Sequence, residues 1–191
     1  MQNKPSKIPA VFLDRDGTIN REVDHLRSVG QLRIIPSAAK AIKLLNRAGF
    51  LAVVITNQAV VARGMASEAE VDGIHAVMAR RLARGGAKID AIYYCPHHPD
   101  ADVKKYRIRC RCRKPDIGMI MRAAKEHGIN LERSFLVGDR TVDIFAGKKA
   151  HVRTVLVRTG YGGKDKKFDV VPDFFAKDLM AAAKIIIKNA K

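Results

Sequence analysis

Long apolar runs are missing from this sequence. The longest, residues 8–13 and 51–55, fall far short of the roughly 20 residues needed to cross a bilayer. No membrane span is expected. The apolar stretch that follows Lys4 and Lys7 runs straight into an acidic pair, which argues against a cleavable signal peptide. Cysteine is scarce as well. There are three, an odd number, two of them at Cys110 and Cys112, and this suits a metal site in a reducing, cytoplasmic compartment better than disulfides. Acids are outnumbered, 19 against 36 lysines and arginines, for a formal charge of +17. Such a chain draws anions, whether phosphorylated sugars, nucleotides or nucleic acid, without choosing among them. Aromatics make up 6% and few interleave with the basic runs, so the stacking expected of a zinc-stabilised nucleic-acid-binding protein has little to rest on. Repeats and linker-like stretches are also lacking, and the 191 residues are expected to form a single domain, residues 1–191.

Apolar segments alternate with helical patterns along the chain. Strands are expected at residues 11–13, 51–55, 89–94, 134–137 and 154–157, and helices at 37–48, from 67 onward, 116–127, 141–149 and 177–189. Ser37 and Ser67 stand at helix starts, the latter with Glu70 in a capping-box position. This alternation predicts an α/β fold: a three-layer, Rossmann-like parallel sheet with helices on both faces. Residues 19–36 are too polar and irregular for core; they follow the first strand and suit a loop that covers substrate. They are too few for a cap domain.

What the chain does have is chemistry at strand ends. Val11-Phe12-Leu13 leads into Asp14-Arg15-Asp16-Gly17-Thr18, and ligands in open α/β sheets bind at that end of a strand. Two acids there would repel and be costly to desolvate without a cation, and Mg²⁺ answers both problems. Asp14 suits a nucleophile and metal ligand, Asp16 a proton donor. Thr56-Asn57-Gln58 ends the second strand and can hold phosphate oxygens, although it is also ordinary turn chemistry. Arg63 and Arg113 can fork onto a phosphate or a sugar hydroxyl, or face solvent. Lys114 can steady a nucleophile and a transferring phosphoryl group. Gly138-Asp139-Arg140 ends the fourth strand, with Asp139 a metal ligand, Arg140 a substrate contact, and Asp143 one helical turn on. Asp143 could equally be a helix-start acid favoured by the dipole.

Cys95-x-His97 and Cys110-x-Cys112 lie on one charged, proline-containing loop, residues 95–113, inserted after the third strand. Three thiolates and an imidazole make a closed tetrahedral Zn²⁺ site, structural rather than catalytic. His98 rivals His97, which is preferred because its spacing mirrors Cys-x-Cys.

Asp-x-Asp-Gly-Thr, the Thr56 segment, Cys-Arg-Lys-Pro-Asp and Gly-Asp-x-x-x-Asp, in that order, resemble the four motifs of the haloacid dehalogenase superfamily of phosphatases. Phe-Leu-Asp-Arg-Asp-Gly-Thr-Ile-Asn, Ala-Arg-Gly and Tyr-Tyr-Cys-Pro-His-His-Pro narrow the resemblance to its histidinol-phosphatase and heptose-bisphosphate-phosphatase group, covering residues 11 to about 150. The resemblance implies a cytoplasmic, monomeric, Mg²⁺-dependent enzyme with a structural zinc loop and no large cap. Its Mg²⁺ would be held by Asp14, Asp139 and the backbone carbonyl of Asp16. It would hydrolyse a small phosphorylated sugar through an aspartyl-phosphate, with the phosphate on carbon 7 of a heptose bisphosphate foremost. Histidinol phosphate, another small phosphomonoester or a polynucleotide 3′-phosphate are the alternatives.

Overall fold

A computed structural model describes residues 7–190; Lys4, weighed above, lies outside them. Six parallel strands form one sheet in the order β3-β2-β1-β4-β5-β6. They are β1 (Ala10–Leu13), β2 (Leu51–Asn57), β3 (Ala91–Cys95), β4 (Phe135–Gly138), β5 (Arg153–Val157) and β6 (Phe174–Ala176). Between them lie helices α1 (Ala38–Arg47), α2 (Ala59–Ala62), α3 (Glu68–Arg84), α4 (Gly118–His127), α5 (Thr141–Lys149) and, last, α6 (Leu179–Lys188). The predicted three-layer α/β architecture is what the chain adopts.

Successive strand side chains point to opposite faces, and β1 feeds both layers. Val11 and Leu13 pack with α1, α3 and α6, while Ala10 and Phe12 pack with α4 and α5. All four are fully buried, as expected of a central parallel strand. β1 lies between β2 and β4. The chain winds one way from β1 to β3 and the other from β4 to β6, so the gap beyond the carboxyl ends of β1 and β4 is the switch point where such sheets bind ligands.

Several details differ from the sequence reading. Ser67 caps α3 as expected, accepting from the Glu70 N–H, and Glu70 reciprocates. Ser37 precedes α1 but makes no side-chain cap. β2 runs two residues beyond its predicted end, because pairing with β3 continues through Thr56 and Asn57. α2 and β6 were not foreseen: a four-residue helix and a three-residue strand are too short to show a period. Residues 19–36 are not devoid of core. Ile19, Leu26 and Leu32 are buried in the α1 layer, spaced too irregularly to advertise it. Asn20 bridges to Ile34, and Ile35 N–H donates to the Ile19 carbonyl, which closes the segment into a short two-stranded ladder. Among the described residues no helix is long and apolar enough to cross a membrane.

Candidate active site

Asp14 follows the last residue of β1, and its N–H donates to the Val137 carbonyl of β4 at 2.9 Å. Asp139 follows β4, and Asp143 sits in the first turn of α5. Carboxylate oxygens of these three residues lie within 4.8 Å of one another, all buried. Lys114, 3% exposed, reaches in from the end of the long loop. Its Nζ lies 2.8 Å from Asp14 Oδ1, 2.6 Å from Asp143 Oδ1 and 2.9 Å from the Ile55 carbonyl. One ammonium thus pairs with two of the three carboxylates. Burial, only partly offset by Lys114 and reinforced by Asp143 and Asp16, pushes the Asp14 carboxyl up to about 7. Burial together with Asp14 and Asp143 pushes Asp139 up to about 9. Burial opposes the Lys114 charge, but the two facing carboxylates raise its affinity for the proton above the ordinary value.

Asp139 has little freedom. Gly17 and Gly160, both in the left-handed region, back onto its carboxylate so closely that a Cβ on either would overlap Oδ2. That oxygen accepts the Tyr161 N–H at 2.6 Å, whereas Oδ1 is buried with no hydrogen-bond partner. A buried orphan carboxylate oxygen in a cluster carrying excess negative charge is the donor set that a hard divalent cation takes. The residues present fit Mg²⁺.

Asp16 faces a different environment. Arg15, fully buried, forks onto it through Nε and Nη2 at 3.0 and 2.7 Å. Asn20 Nδ2 and Gln58 Nε2 each donate to it at 2.9 Å. Burial would raise the Asp16 carboxyl, but the Arg15 charge and these hydrogen bonds outweigh it and hold the group below the ordinary range. Arg15 Nη1 meets His75 Nε2 at 3.1 Å, and burial and that guanidinium depress the imidazole to about 3. His75 is therefore neutral and accepts. The sequence reading passed over Arg15 and His75; a charge wedged between two acids at a buried strand end was the available signal.

A cavity of about 770 Å³ opens above this cluster, lined by Asp16, Arg63, Arg113, Lys114, Arg140 and Lys167 among others. Glu22, Asp24, His25 and Leu26 form part of its wall, so one stretch of the 19–36 segment borders the cavity. Arg113 Nη1 donates to the His97 carbonyl at 3.0 Å, and Arg140 lies 4.3 Å over the Tyr161 ring. Asn57 and Gln58 border the cavity, yet their polar atoms are committed elsewhere. Asn57 Nδ2 and Oδ1 bind the Lys114 carbonyl and N–H. Gln58 accepts from Arg15 and donates to Asp16 and to Thr56 Oγ1. The sequence predicts substrate contacts here; both residues line the cavity while these bonds tie them to Lys114 and to the Arg15–Asp16 pair. Thr56, 1% exposed, lies beneath Gln58.

The cysteine loop gathers as its spacing predicts. Cys95 Sγ, His97 Nδ1, Cys110 Sγ and Cys112 Sγ lie within 4.8 Å of one another. His98 is not in this group; its Nδ1 accepts the Asp100 N–H. A hydrogen bond from Cys112 lowers the Cys95 thiol, while the Cys112 thiol is raised by that same bond and by burial. Three sulfurs with a ring nitrogen beside them match the donor chemistry of Zn²⁺.

Comparison with known proteins decides the lineage. A relative from Photorhabdus laumondii, "D-glycero-beta-D-manno-heptose-1,7-bisphosphate 7-phosphatase", is 42% identical over 154 residues, 80% of this chain and 82% of its own. The protein of that name from Escherichia coli K12 is also 42% identical, over 80% of this chain and 81% of its own. A family model described as "HAD-hyrolase-like" matches residues 111–182. The chain belongs to the haloacid dehalogenase-like phosphatases. Among solved structures, D,D-heptose 1,7-bisphosphate phosphatase from B. bronchiseptica, complexed with magnesium and phosphate, superposes with a TM-score of 0.84 at 34% identity, covering 95% of this chain and 99% of that one. As a member of this family the chain is a phosphoric monoester hydrolase, in the branch whose named members act on heptose bisphosphate.

Proposed function

We propose that this phosphatase removes the 7-phosphate of D-glycero-D-manno-heptose 1,7-bisphosphate through an aspartyl-phosphate on Asp14. The observation that carries the reading is the buried cluster of Asp14, Asp139, Asp143 and Lys114 beneath a cavity rimmed by Arg63, Arg113 and Arg140. One phosphate can reach the acids while the rim offers guanidinium groups to a second, which favours a bisphosphate over a monophosphate.

Asp14 attacks phosphorus in line with the departing sugar oxygen. The P–O ester bond breaks, and Asp16 gives its proton to that oxygen. Asp16 then takes a proton from the water that hydrolyses the acyl phosphate and regenerates Asp14. The Arg15 fork keeps Asp16 ionised in the free protein, the state the second step needs. Approach of the phosphoryl charge raises its proton affinity toward the state the first step needs. Lys114 neutralises charge on Asp14 and the transferring group, and Asp143 aims it. Mg²⁺ held by Asp14, Asp139 and the backbone carbonyl of Asp16 would compensate charge on the phosphoryl oxygens. Cys95, His97, Cys110 and Cys112 would hold a structural Zn²⁺, stiffening the loop that delivers Arg113 and Lys114.

A phosphate-release screen with heptose bisphosphate, histidinol phosphate, other sugar phosphates and a 3′-phosphorylated oligonucleotide tests the reading. Turnover is expected to be highest with the heptose bisphosphate and to vanish in Asp14→Asn, with thermal stability kept. Preference for histidinol phosphate or the oligonucleotide would overturn the substrate assignment. Retained turnover in Asp14→Asn would overturn the nucleophile.

A further inference from the structure

A second cavity, of about 500 Å³, borders the 19–36 segment and is lined by Arg21, Leu32, Arg33, Ile34, Pro36 and Arg81. It shares no residue with the cavity above Asp14. Arg33 Nη1 donates to the Gly30 carbonyl at 2.5 Å and also, at 3.2 Å, to the Leu32 carbonyl, which accepts Arg81 Nη1 at 2.9 Å. Two guanidinium groups therefore converge on a single oxygen. All three arginines are exposed, so water screens part of their repulsion, and an anion held among them would offset more of it. Among the described residues none of the three arginines pairs with a carboxylate, while Arg15, Arg122, Lys88, Lys148 and Lys149 all do. The Arg21 side chain makes no hydrogen bond at all among the described residues, and Leu32, Ile34 and Pro36 supply an apolar floor beside the three charges.

We infer that this cavity is an anion site, separate from the catalytic one, that takes the phosphate group of a small phosphorylated molecule. Guanidinium groups suit phosphate oxygens through paired N–H donors, and a pocket of this size lies within the range of small-molecule sites. The site also has a physical connection to the chemistry. Arg21 N–H donates to the Arg33 carbonyl at 2.8 Å. Asn20 Nδ2 donates to both the Arg21 carbonyl and Asp16 Oδ1, each at 2.9 Å. An anion drawing Arg21 and Arg33 together tightens the ladder that holds Asn20 against Asp16.

The test is a titration of the full chain with methylenediphosphonate, which phosphatases do not hydrolyse, followed by amide NMR. Shifts are expected at residues 21 and 32–34, apart from any at residues 14–17 and 139. Arg21→Gln, which removes no hydrogen bond of the fold, is expected to weaken the first set at least about tenfold, the loss of one charge-assisted contact, and to leave the shift at residue 139 unchanged. Arg81→Lys, which keeps the charge but loses the fork, is expected to weaken it less. No shift at residues 21 and 32–34 at saturation of the catalytic site, or shifts there that survive Arg21→Gln undiminished, would overturn the inference.

Discussion

Asn57 holds Lys114 by both ends of its peptide: Nδ2 donates to the Lys114 carbonyl and Oδ1 accepts its N–H, each at 3.0 Å. The last residue of a central strand thereby clamps the backbone of a lysine 57 positions away, at the point where an irregular loop hands it to the site. Removing the clamp should leave the sheet intact and let the ammonium drift. Asn57→Leu is expected to lower kcat by about 30–160-fold, the range for two lost buried hydrogen bonds of about 1–1.5 kcal/mol each, with KM little changed. Equal losses in kcat and Tm, or a change in KM alone, would contradict a positioning role.

The clustered acids bear on stability. Asp14 and Asp139 sit at about 7 and about 9 against roughly 4 in an unfolded chain. Between those values the folded state keeps protons that the unfolded state has lost, so stability falls as pH rises. Stripped of divalent ions, the protein is expected to lose Tm steadily from about pH 5 to pH 9, and Mg²⁺ should restore it by an increment that grows with pH. Calorimetry in buffers of different ionisation heat should detect protons released on Mg²⁺ binding. Asp16, held low, works in the opposite sense and only in acid, where its contribution is lost as pH falls. A flat Tm profile without proton release would remove the cation from this site.

The cysteine loop makes a third expectation. Elemental analysis should find one Zn²⁺ per chain, and Cys110→Ser should lose it. Chelation should reduce turnover together with Tm, because Cys112 lies two residues before Lys114. Zinc-free protein with full turnover and an unchanged Tm would dismiss the loop as a metal site.

How much of this could be read from the letters depends on the range of the interaction. The apolar run before Asp14, the glycine before Asp139 and the Ser67–Glu70 cap are local patterns, and each predicts its element. The paired Cys-x-His and Cys-x-Cys carry their own spacing, and they meet. Asn57 on Lys114 and Gln58 on Asp16 are contacts between separate strands and loops. Nothing near residue 57 or 58 announces them, so both look like free polar groups at a strand end. The sequence leaves Asp143 between helix-start acid and site residue; its Oδ2 accepts the Arg140 N–H while Oδ1 lies 2.6 Å from Lys114 Nζ. Leu26 and Leu32 are buried by packing into the α1 layer, a contact between separate parts of the chain that no periodicity reveals.

Gly17 and Gly160 contribute no side chain, yet they decide where the carboxylate of Asp139 can point. With bare backbone pressed on it from both directions, that group cannot swing, and an arriving ion meets a ligand already aimed, with nothing left to reorganise. Sensitivity to mutation should therefore extend to two positions that touch neither metal nor sugar. A single added methyl at either of them would be transmitted to the reaction centre as a displaced oxygen.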